Sequence, residues 1–181
     1  MRITVSGLPG SGTTSLSRYL AEKHGFTMIS AGEVFRDLAK EHNMDLARFG
    51  ELARADPSYD KMIDARQKEI AEQRDNIIVE GRLSGWMVEQ ADLKVWLYAP
   101  IGCRIKRIVF RDQVADEKTA MDLTLERERC EADRYRSYYE IDIGDLSVYH
   151  VILNSEHWDV AGLGAIVDTA IASLPKNPNA P

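Results

Sequence analysis

The chain has 181 residues, a formal net charge of −6, 44% apolar residues and 29% charged residues. A chain of this size and composition is typical of one folded domain, which buries roughly 70% of the surface of its unfolded chain. No apolar run approaches the roughly 18 residues of a membrane-spanning helix, and the first residues reach a glycine-rich turn too early for a secretion signal. The acidic balance argues against a nucleic-acid polymer as the main partner. We therefore expect a cytoplasmic monomer that binds small molecules, and neither nucleic acid nor a membrane.

Short apolar runs rich in β-branched residues alternate with helix-like stretches along the chain. These runs lie at 3–6, 27–29, 76–79, 93–98 and 148–153. The other stretches predict helices at 13–24, 33–41, 58–74, 101–113, 119–138 and 159–173. Strands that alternate with helices form a parallel sheet with crossover helices. The sequence therefore predicts an α/β fold, a five-stranded parallel sheet with helices on both faces, in one domain over 1–175 with a flexible tail at 176–181.

A glycine-rich turn joins the first predicted strand to the first predicted helix. It comprises Gly7, Leu8, Pro9, Gly10, Ser11, Gly12, Thr13, Thr14 and Ser15. A strand, such a turn and a helix start are the context of a P-loop NTPase phosphate loop, where backbone N–H groups and the helix dipole bind phosphate. We predict that these residues bind the phosphates of the donor nucleotide and that the Thr14 hydroxyl binds Mg²⁺.

Thr13 occupies the position at which such loops usually carry a lysine. A positive charge about 4 Å from a phosphate oxygen contributes about 4 kcal/mol at an effective dielectric constant near 20. Another cation must therefore compensate. The alternative interpretation is a glycine-rich turn that binds nothing.

Further segments resemble parts of known nucleoside monophosphate kinases. Residues 30–36, Ser-Ala-Gly-Glu-Val-Phe-Arg, look like the Ser-Thr-Gly-Asp-x-x-Arg segment with which adenylate kinases hold the acceptor nucleotide. Residues 80–82, Glu-Gly-Arg, resemble the Asp-Gly-Arg of bacterial cytidylate kinases. With the Thr-Thr phosphate loop, the segments 81–87 and 134–139 resemble the archaeal-type (type 2) cytidylate kinases, a resemblance that spans about residues 1–155. It implies Mg²⁺-dependent phosphoryl transfer from ATP to CMP, with dCMP as a second acceptor, and it implies that Thr13 belongs to the family pattern.

The ends of the second and third predicted strands supply candidate acceptor residues, in an acceptor-binding region at about 30–74. The carboxyl side of an open α/β sheet is where its ligands bind. The predicted substrate-binding residues are Ser30, Gly32, Arg36, Asp60, Asp64, Gly81 and Arg82. Glu80 ends an apolar strand, so we expect its carboxylate to face the site and to hold a Mg²⁺-bound water.

The residues that select the base of the acceptor nucleotide are the hardest to identify from the sequence. A cytosine edge offers an amino donor beside ring acceptors, so its reader needs a carboxylate or carbonyl next to a donor. Asp60 and Asp64 lie in the helical insertion where an acceptor pocket is expected. The alternative is that both are solvent-facing helix charges. The choice of cytosine therefore rests on the family resemblance.

Arginines are expected to neutralise the transferring phosphoryl group. The candidates are Arg82, Arg107, Arg111, Arg127 and Arg134. The segment 114–136 is rich in charges and poor in apolar residues, which predicts a mobile surface lid that delivers arginines and excludes water. The alternative is an exposed helix crossed by salt bridges.

Two other functions remain open: a P-loop kinase for a different nucleoside monophosphate, and a nucleotide-binding module that lost turnover with its lysine. No Asn-Lys-x-Asp segment for guanine recognition occurs in the chain. A screen of monophosphates with ATP separates the kinases, and Arg82 tests the acceptor site itself. If it holds the acceptor phosphate, Arg82→Ala abolishes turnover, and we expect folding to be unchanged because a site arginine is not a core residue.

Overall fold

The computed structural model describes residues 1–44, 48–49, 52–53, 56, 58–112 and 116–175. The strands are β1 (Arg2–Gly7), β2 (Thr27–Ser30), β3 (Ile77–Glu80), β4 (Leu93–Tyr98) and β5 (Val151–Asn154). The helices with defined bounds are α1 (Thr13–His24), α2 (Ala31–Glu41), α3 (Ser58–Gln73), α4 (Ser84–Met87), α5 (Ile101–Asp112), α6 (Glu117–Tyr139) and α7 (Val160–Ser173). The predicted tail at 176–181 and the first two residues of the predicted lid, 114–115, lie outside the described residues.

The five strands form one parallel sheet in the order β2-β3-β1-β4-β5. β1 lies between two strands that are distant from it in the chain. Val5 and Ser30 both pair with Glu80, so the carboxyl ends of β1, β2 and β3 meet at one edge. This edge is where open α/β sheets bind their ligands. The architecture confirms the predicted fold class.

Two apolar clusters cover the two faces of the sheet. One cluster joins Ile3 and Val5 of β1 to α1 and α7. The other packs β2 and β3 against α2 and α3. β3 serves both clusters, since Ile78 faces the first and its neighbours Ile77 and Val79 face the second. Across the described residues, every helix falls short of the length or the apolar character that a transmembrane span requires.

Some element ends differ from the predicted ones because of local backbone geometry. Asn76 has a φ of 54°, a left-handed conformation, so β3 begins one residue later than the sequence predicts. Ser30 forms a capping box with Glu33, so α2 begins at Ala31 instead of at Glu33. The four-residue α4 is missing from the prediction because so short a helix leaves no detectable periodicity.

Helices α1 and α7 approach each other closely at a buried glycine. A Cβ on Gly164 would lie 2.2 Å from Cε1 of Tyr19 and 2.6 Å from its Cδ1. The ring of Tyr19 therefore occupies the space that a methyl group at position 164 would need. This contact seats α7 on the helix that follows the glycine-rich turn.

We expect Gly164→Ala to lower the free energy of unfolding by about 1–3 kcal/mol, the usual cost of overpacking a core. Gly102→Ala in α5 is the matched control, because a Cβ there meets no atom within 4 Å. It should leave stability unchanged or raise it by up to about 1 kcal/mol. Urea unfolding followed by circular dichroism measures both variants, and equal effects would contradict the close packing.

Candidate active site

The turn between β1 and α1 is shaped by three glycines. A Cβ on Gly7 would lie 2.5 Å from the carbonyl oxygen of Leu97, and one on Gly10 would lie 2.6 Å from that of Arg104. Gly10 has a φ of 81° and Gly12, the N-cap of α1, has a φ of 96°, both in the left-handed region. Within the described chain, no side chain caps α1 and no acidic residue lies in its first turn. The N–H groups at this helix start therefore remain available to an anion.

Arg104 of α5 binds the outer side of this turn. It is buried, and it donates from Nη1 to the carbonyl oxygen of Pro9 at 3.0 Å and from Nε to that of Ala99 at 3.1 Å. Its charge is paired with Glu128 of α6. Because the N–H of a trans peptide points opposite to its carbonyl, the contact at Pro9 turns the N–H of Gly10 away from Arg104. In the sequence, Arg104 shares one helix face with Arg107 and Arg111, and this spacing alone does not select it as a site residue.

Arg107, one turn further along α5, also binds backbone carbonyls. Its Nη1 donates to the carbonyl oxygen of Gly10 at 3.3 Å, and its Nη2 donates to that of Ser155 at 2.7 Å. The Ser155 hydroxyl donates to the carbonyl oxygen of Ser11 at 2.7 Å. These contacts position the turn, and the prediction that Arg107 neutralises the transferring phosphoryl group stays a prediction. Two guanidinium charges nevertheless lie beside the turn whose lysine position is Thr13.

Thr13 and Glu80 connect the turn to the end of β3. The Thr13 hydroxyl donates to Oε1 of Glu80 at 2.7 Å. Within the described residues, Oε2 of Glu80 and the hydroxyl of Thr14 have no hydrogen-bond partner. Both groups offer oxygen ligands of the kind that Mg²⁺ prefers. Among the described residues, no group of three or more His, Cys, Asp or Glu side chains is placed to hold a metal ion by itself. Thr14 and Glu80 therefore fit a Mg²⁺ ion that brings most of its ligands with it.

Arg82 spans the distance between the glycine-rich turn and α6. Its Nη1 donates to the carbonyl oxygen of Gly7 at 2.7 Å, and its Nε donates to Oε2 of Glu131 at 2.9 Å. The Arg82 side chain is only 17% exposed. These contacts give a reason to revise the expectation that folding is unchanged in Arg82→Ala, because the substitution takes a cationic partner from the buried carboxylate of Glu131.

Gln67 of α3 fixes the backbone that carries Arg82. Its Nε2 donates to the carbonyl oxygen of Glu80 at 2.9 Å. A Cβ on Gly81 would lie 3.2 Å from Oε1 of Gln67, so the buried amide packs directly on this glycine. No motif in the sequence points to Gln67, since its partner is a backbone atom on another element.

Helix α6 contains most of the segment predicted to be a lid. Its buried residues are Ala120, Thr124, Glu131 and Tyr135. The inner face of the helix is therefore buried although few of its residues are apolar, and its role as a mobile lid stays a prediction. Its polar contacts with the site join Glu128 to Arg104, Glu131 to Arg82, Arg134 to Asp60 and Tyr139 to Asp64. Glu128, Glu131 and Arg134 recur every three residues and form one helix face, which lies across the site, and Tyr139 is the last residue of the helix.

Arg127 and Arg111 lie at the rim beside the turn. Nε of Arg127 donates to Oε1 of Glu131 at 2.7 Å, and 61% of the Arg127 side chain is exposed. Nε of Arg111 donates to Oδ1 of its neighbour Asp112 at 2.6 Å. Both arginines line a groove of about 160 Å³ that reaches Pro9. The structure thus brings them close to the turn without fixing either one on it.

The predicted acceptor residues after β2 meet at the start of α2. The Ser30 hydroxyl accepts from the backbone N–H of Glu33 at 3.1 Å, so its main contact in this structure is the helix cap. Nη1 of Arg36 lies 3.6 Å from the position of a Cβ on Gly32. Arg36 therefore folds back over the strand-to-helix junction. It also lines a groove of about 680 Å³ along the outer edge of β2.

Asp60 and Asp64 of α3 both bind side chains of α6. Nε of Arg134 donates to Oδ2 of Asp60 at 2.6 Å, and the hydroxyl of Tyr139 donates to Oδ2 of Asp64 at 2.8 Å. The alternative that they are solvent-facing charges is therefore wrong. Burial raises the pKa of Asp64 to about 6, with the charge of Asp60 adding to the shift and the Tyr139 hydrogen bond opposing it. Asp64 is thus mostly protonated below a pH of about 6 and mostly ionised above it.

A glycine-rich phosphate loop after the central strand of a parallel sheet, with arginines converging on it, defines the P-loop kinase class. The structure is similar to shikimate kinase from Bacteroides thetaiotaomicron, with a TM-score of 0.65 and 16% identity over 95% of this chain and 98% of that chain. Residues 2–157 match the Cytidylate kinase-like family, and the chain belongs to that family.

Two curated relatives agree with this assignment over nearly their full length. The chain is 76% identical to a cytidylate kinase of Methanoregula boonei over 98% of each protein. It is 66% identical to a cytidylate kinase of Methanosphaerula palustris over 96% of this chain and 99% of the relative. The resemblance drawn from the motifs is confirmed.

The raised pKa of Asp64 predicts a pH-dependent stability. The folded state binds this proton more tightly than the unfolded chain does, so stability falls as the pH rises from about 4 to about 6. The loss, fully present above that range, amounts to about 3 kcal/mol. Asp64→Asn lacks this ionisation, so its stability relative to wild type should increase over the same interval.

Thermal melts at pH 4, 5, 6 and 7 measure the difference between the two proteins. Tyr139→Phe removes the hydrogen bond that opposes the shift, so it should extend the upper end of this interval to higher pH. A difference between Asp64→Asn and wild type that stays constant with pH would show that folding does not raise the pKa of Asp64.

Proposed function

We propose that the protein transfers the γ-phosphoryl group of ATP to CMP, giving ADP and CDP, and that dCMP is a second acceptor. An oxygen of the acceptor phosphate forms a bond to the γ-phosphorus while the bond from that phosphorus to the bridging oxygen of ADP breaks. Membership of the Cytidylate kinase-like family supports the substrates. The observation that carries the reaction is Arg82, which links the end of β3 to both the phosphate loop and α6.

The donor side of this reaction rests on the phosphate loop at residues 7–15. Its free N–H groups and the start of α1 bind the β- and γ-phosphates of ATP. Arg104 and Arg107 hold the loop through its carbonyl oxygens, and their charges lower the cost of bringing phosphates to a loop without a lysine. The loop is thus organised before the nucleotide arrives.

The acceptor side rests on Arg36, Arg82 and the backbone at Ser30, Gly32 and Gly81. A planar guanidinium binds two phosphate oxygens with parallel hydrogen bonds, which fixes both the distance and the direction of the acceptor. Because Arg82 is anchored on the loop that holds the donor, it sets the acceptor phosphate against the γ-phosphoryl group. Phosphoryl transfer needs this positioning more than it needs covalent chemistry.

Helix α6 acts as the moving element in this proposal. Its contacts with Arg82, Asp60 and Asp64 are hydrogen bonds and ion pairs, which water and phosphate can replace. Apolar packing of Ala120 on α5 and of Tyr135 on Leu83 keeps the helix attached to the domain. Closure over bound nucleotides brings Arg127 and Arg134 to the phosphates, and it excludes the water that would otherwise accept the phosphoryl group. Arg111 at the rim completes the set of cations.

Magnesium is the expected metal cofactor, held by the Thr14 hydroxyl and by Glu80 through a water. When bound, Mg²⁺ neutralises charge on the β- and γ-phosphates. Glu80 receives the hydrogen bond of Thr13, which orients its carboxylate toward the loop. Cytoplasmic location and a monomeric state remain predictions of the sequence.

Two other functions compete with this proposal. A kinase for another nucleoside monophosphate would use the same loop and arginines, since selection of cytosine rests on the named relatives. A nucleotide-binding module without turnover would need the loop but not an acceptor arginine anchored on it. The contacts of Arg82 therefore favour an enzyme.

A coupled assay of ADP release with CMP, dCMP, UMP, AMP and GMP separates the three functions. We expect the highest kcat/KM with CMP, detectable turnover with dCMP, and loss of all turnover when EDTA removes Mg²⁺. A preference for another monophosphate would support the first competitor. ATP binding without turnover of any of the five would support the second.

Arg82 provides the sharpest test of the proposed acceptor site. Arg82→Ala should lower kcat/KM for CMP by about 10² to 10³, as deletions of preorganised charged donors do. Arg82→Lys should recover only part, because an ammonium keeps the charge and loses the fork. Loss of a hydrogen bond to a buried carboxylate should also cost about 1–3 kcal/mol of stability.

Arg18→Ala, at an exposed position on α1, is the matched control and should retain both activity and stability. Steady-state kinetics and thermal melts of the folded variants measure the two effects separately. Full CMP turnover by a stably folded Arg82→Ala variant would show that the acceptor phosphate does not bind at Arg82.

A further inference from the structure

We infer that Glu131, on the inner face of α6, is a positioning residue that holds Arg82 and Arg127 together beside the phosphate loop. The inference rests on the proposed function, because it assigns a task within the same reaction. In the sequence Glu131 is one charge among many in the segment 114–136, and nothing there distinguishes it.

The carboxylate of Glu131 binds one arginine with each of its oxygens. Oε2 accepts from Nε of Arg82 at 2.9 Å, and Oε1 accepts from Nε of Arg127 at 2.7 Å. Side-chain exposure is 9% for Glu131, 17% for Arg82 and 61% for Arg127. A buried anion therefore connects an arginine anchored on the phosphate loop to an arginine that reaches solvent.

Two guanidinium groups of like charge separate unless an anion lies between them. Burial opposes the ionisation of Glu131, but the charges of Arg82 and Arg127 outweigh it and hold the pKa of this carboxyl below its usual range. Glu131 is thus ionised at neutral pH, and its charge offsets the repulsion between the two arginines. Their convergence on one small region depends on this carboxylate.

These contacts leave some terminal nitrogens of the two arginines open for a phosphate. Each arginine binds Glu131 through Nε, and Arg82 uses Nη1 for the loop. Among the described residues, Nη2 of Arg82 and both Nη atoms of Arg127 have no hydrogen-bond partner. A carboxylate that merely stood in for a phosphate would occupy these terminal nitrogens. The geometry therefore favours a positioning role over competition with the nucleotide.

Glu131→Gln tests this role. A carboxamide of the same size has one acceptor oxygen, so it can bind one arginine while its NH₂ group faces the other as donor against donor. The kcat for CMP with ATP should fall by about 10- to 100-fold, the usual loss when a supporting contact is removed, while KM for neither nucleotide decreases.

Glu131→Asp keeps the charge on a side chain that is one methylene shorter, and its kcat should lie between those of wild type and Glu131→Gln. If Glu131→Gln does not fold, Glu131→Asp alone tests the inference, and a wild-type kcat for Glu131→Asp overturns it. Glu126→Gln, an exposed carboxylate on the same helix, is the matched control and should behave as wild type.

A double-mutant cycle separates positioning from a general structural role. If Glu131 acts through Arg127 as well as through Arg82, the loss of kcat in the double variant Arg127→Ala/Glu131→Gln should be smaller than the product of the two single losses. Losses that multiply overturn the inference. So does an unchanged kcat, or a lower KM at unchanged kcat, which would mark Glu131 as a displaced competitor. Absent turnover of CMP by the wild type, measured in the same assay, would instead count against the proposed function.

Discussion

The site depends on one constraint. The backbone N–H groups of the phosphate loop must face a ligand, so the carbonyl oxygens of the same loop must accept hydrogen bonds from other parts of the protein. A buried carbonyl without a partner is costly, so the outer side of the loop needs strong donors. Arg104, Arg107 and Arg82 supply them at the carbonyls of Pro9, Gly10 and Gly7. The same three guanidinium groups place positive charge around a loop that has Thr13 in place of a lysine.

This arrangement explains how a chain with a net charge of −6 provides a site for polyanions. Glu128 and Glu131 form ion pairs with the arginines of the site. Glu128 pairs with Arg104, and Glu131 pairs with Arg82 and Arg127. Each pair fixes the direction of a guanidinium group, so the cations are ordered before a nucleotide arrives and little ordering cost remains for the reaction.

Polar contacts hold helix α6 in a defined position and are compatible with its proposed movement. Its contacts with α3 are a hydrogen-bonded ion pair at Arg134 and Asp60 and a hydrogen bond at Tyr139 and Asp64. Contacts of this kind define one arrangement geometrically, yet water can replace them, so partly exposed ones contribute little net stability. The helix also packs Ala120 on α5 and Tyr135 on Leu83 through apolar contacts. The polar part of the contact face is compatible with the proposed closure of the helix.

The sequence by itself determined the class of fold, the phosphate loop and the family. These features are local, because alternating apolar runs, glycine spacing and short motifs such as residues 30–36 and 80–82 are all read from neighbouring residues. It also identified the arginine-rich segments that surround the loop. It could not assign tasks within them, since Arg104 and Arg107 look alike in a helical stripe and each binds a different part of the loop.

Only the tertiary structure decided which charges meet. Glu131 finds Arg82 across 49 positions of the chain, and Arg134 finds Asp60 across 74. Pairings over such separations depend on how α6 crosses the sheet edge, which no local pattern encodes. Periodicity correctly indicated a charged helix, but a helix with charges on every face does not reveal which face is buried. That face was decided by packing against α3, α5 and the end of β3, because burial removes water and leaves each charge to find a protein partner.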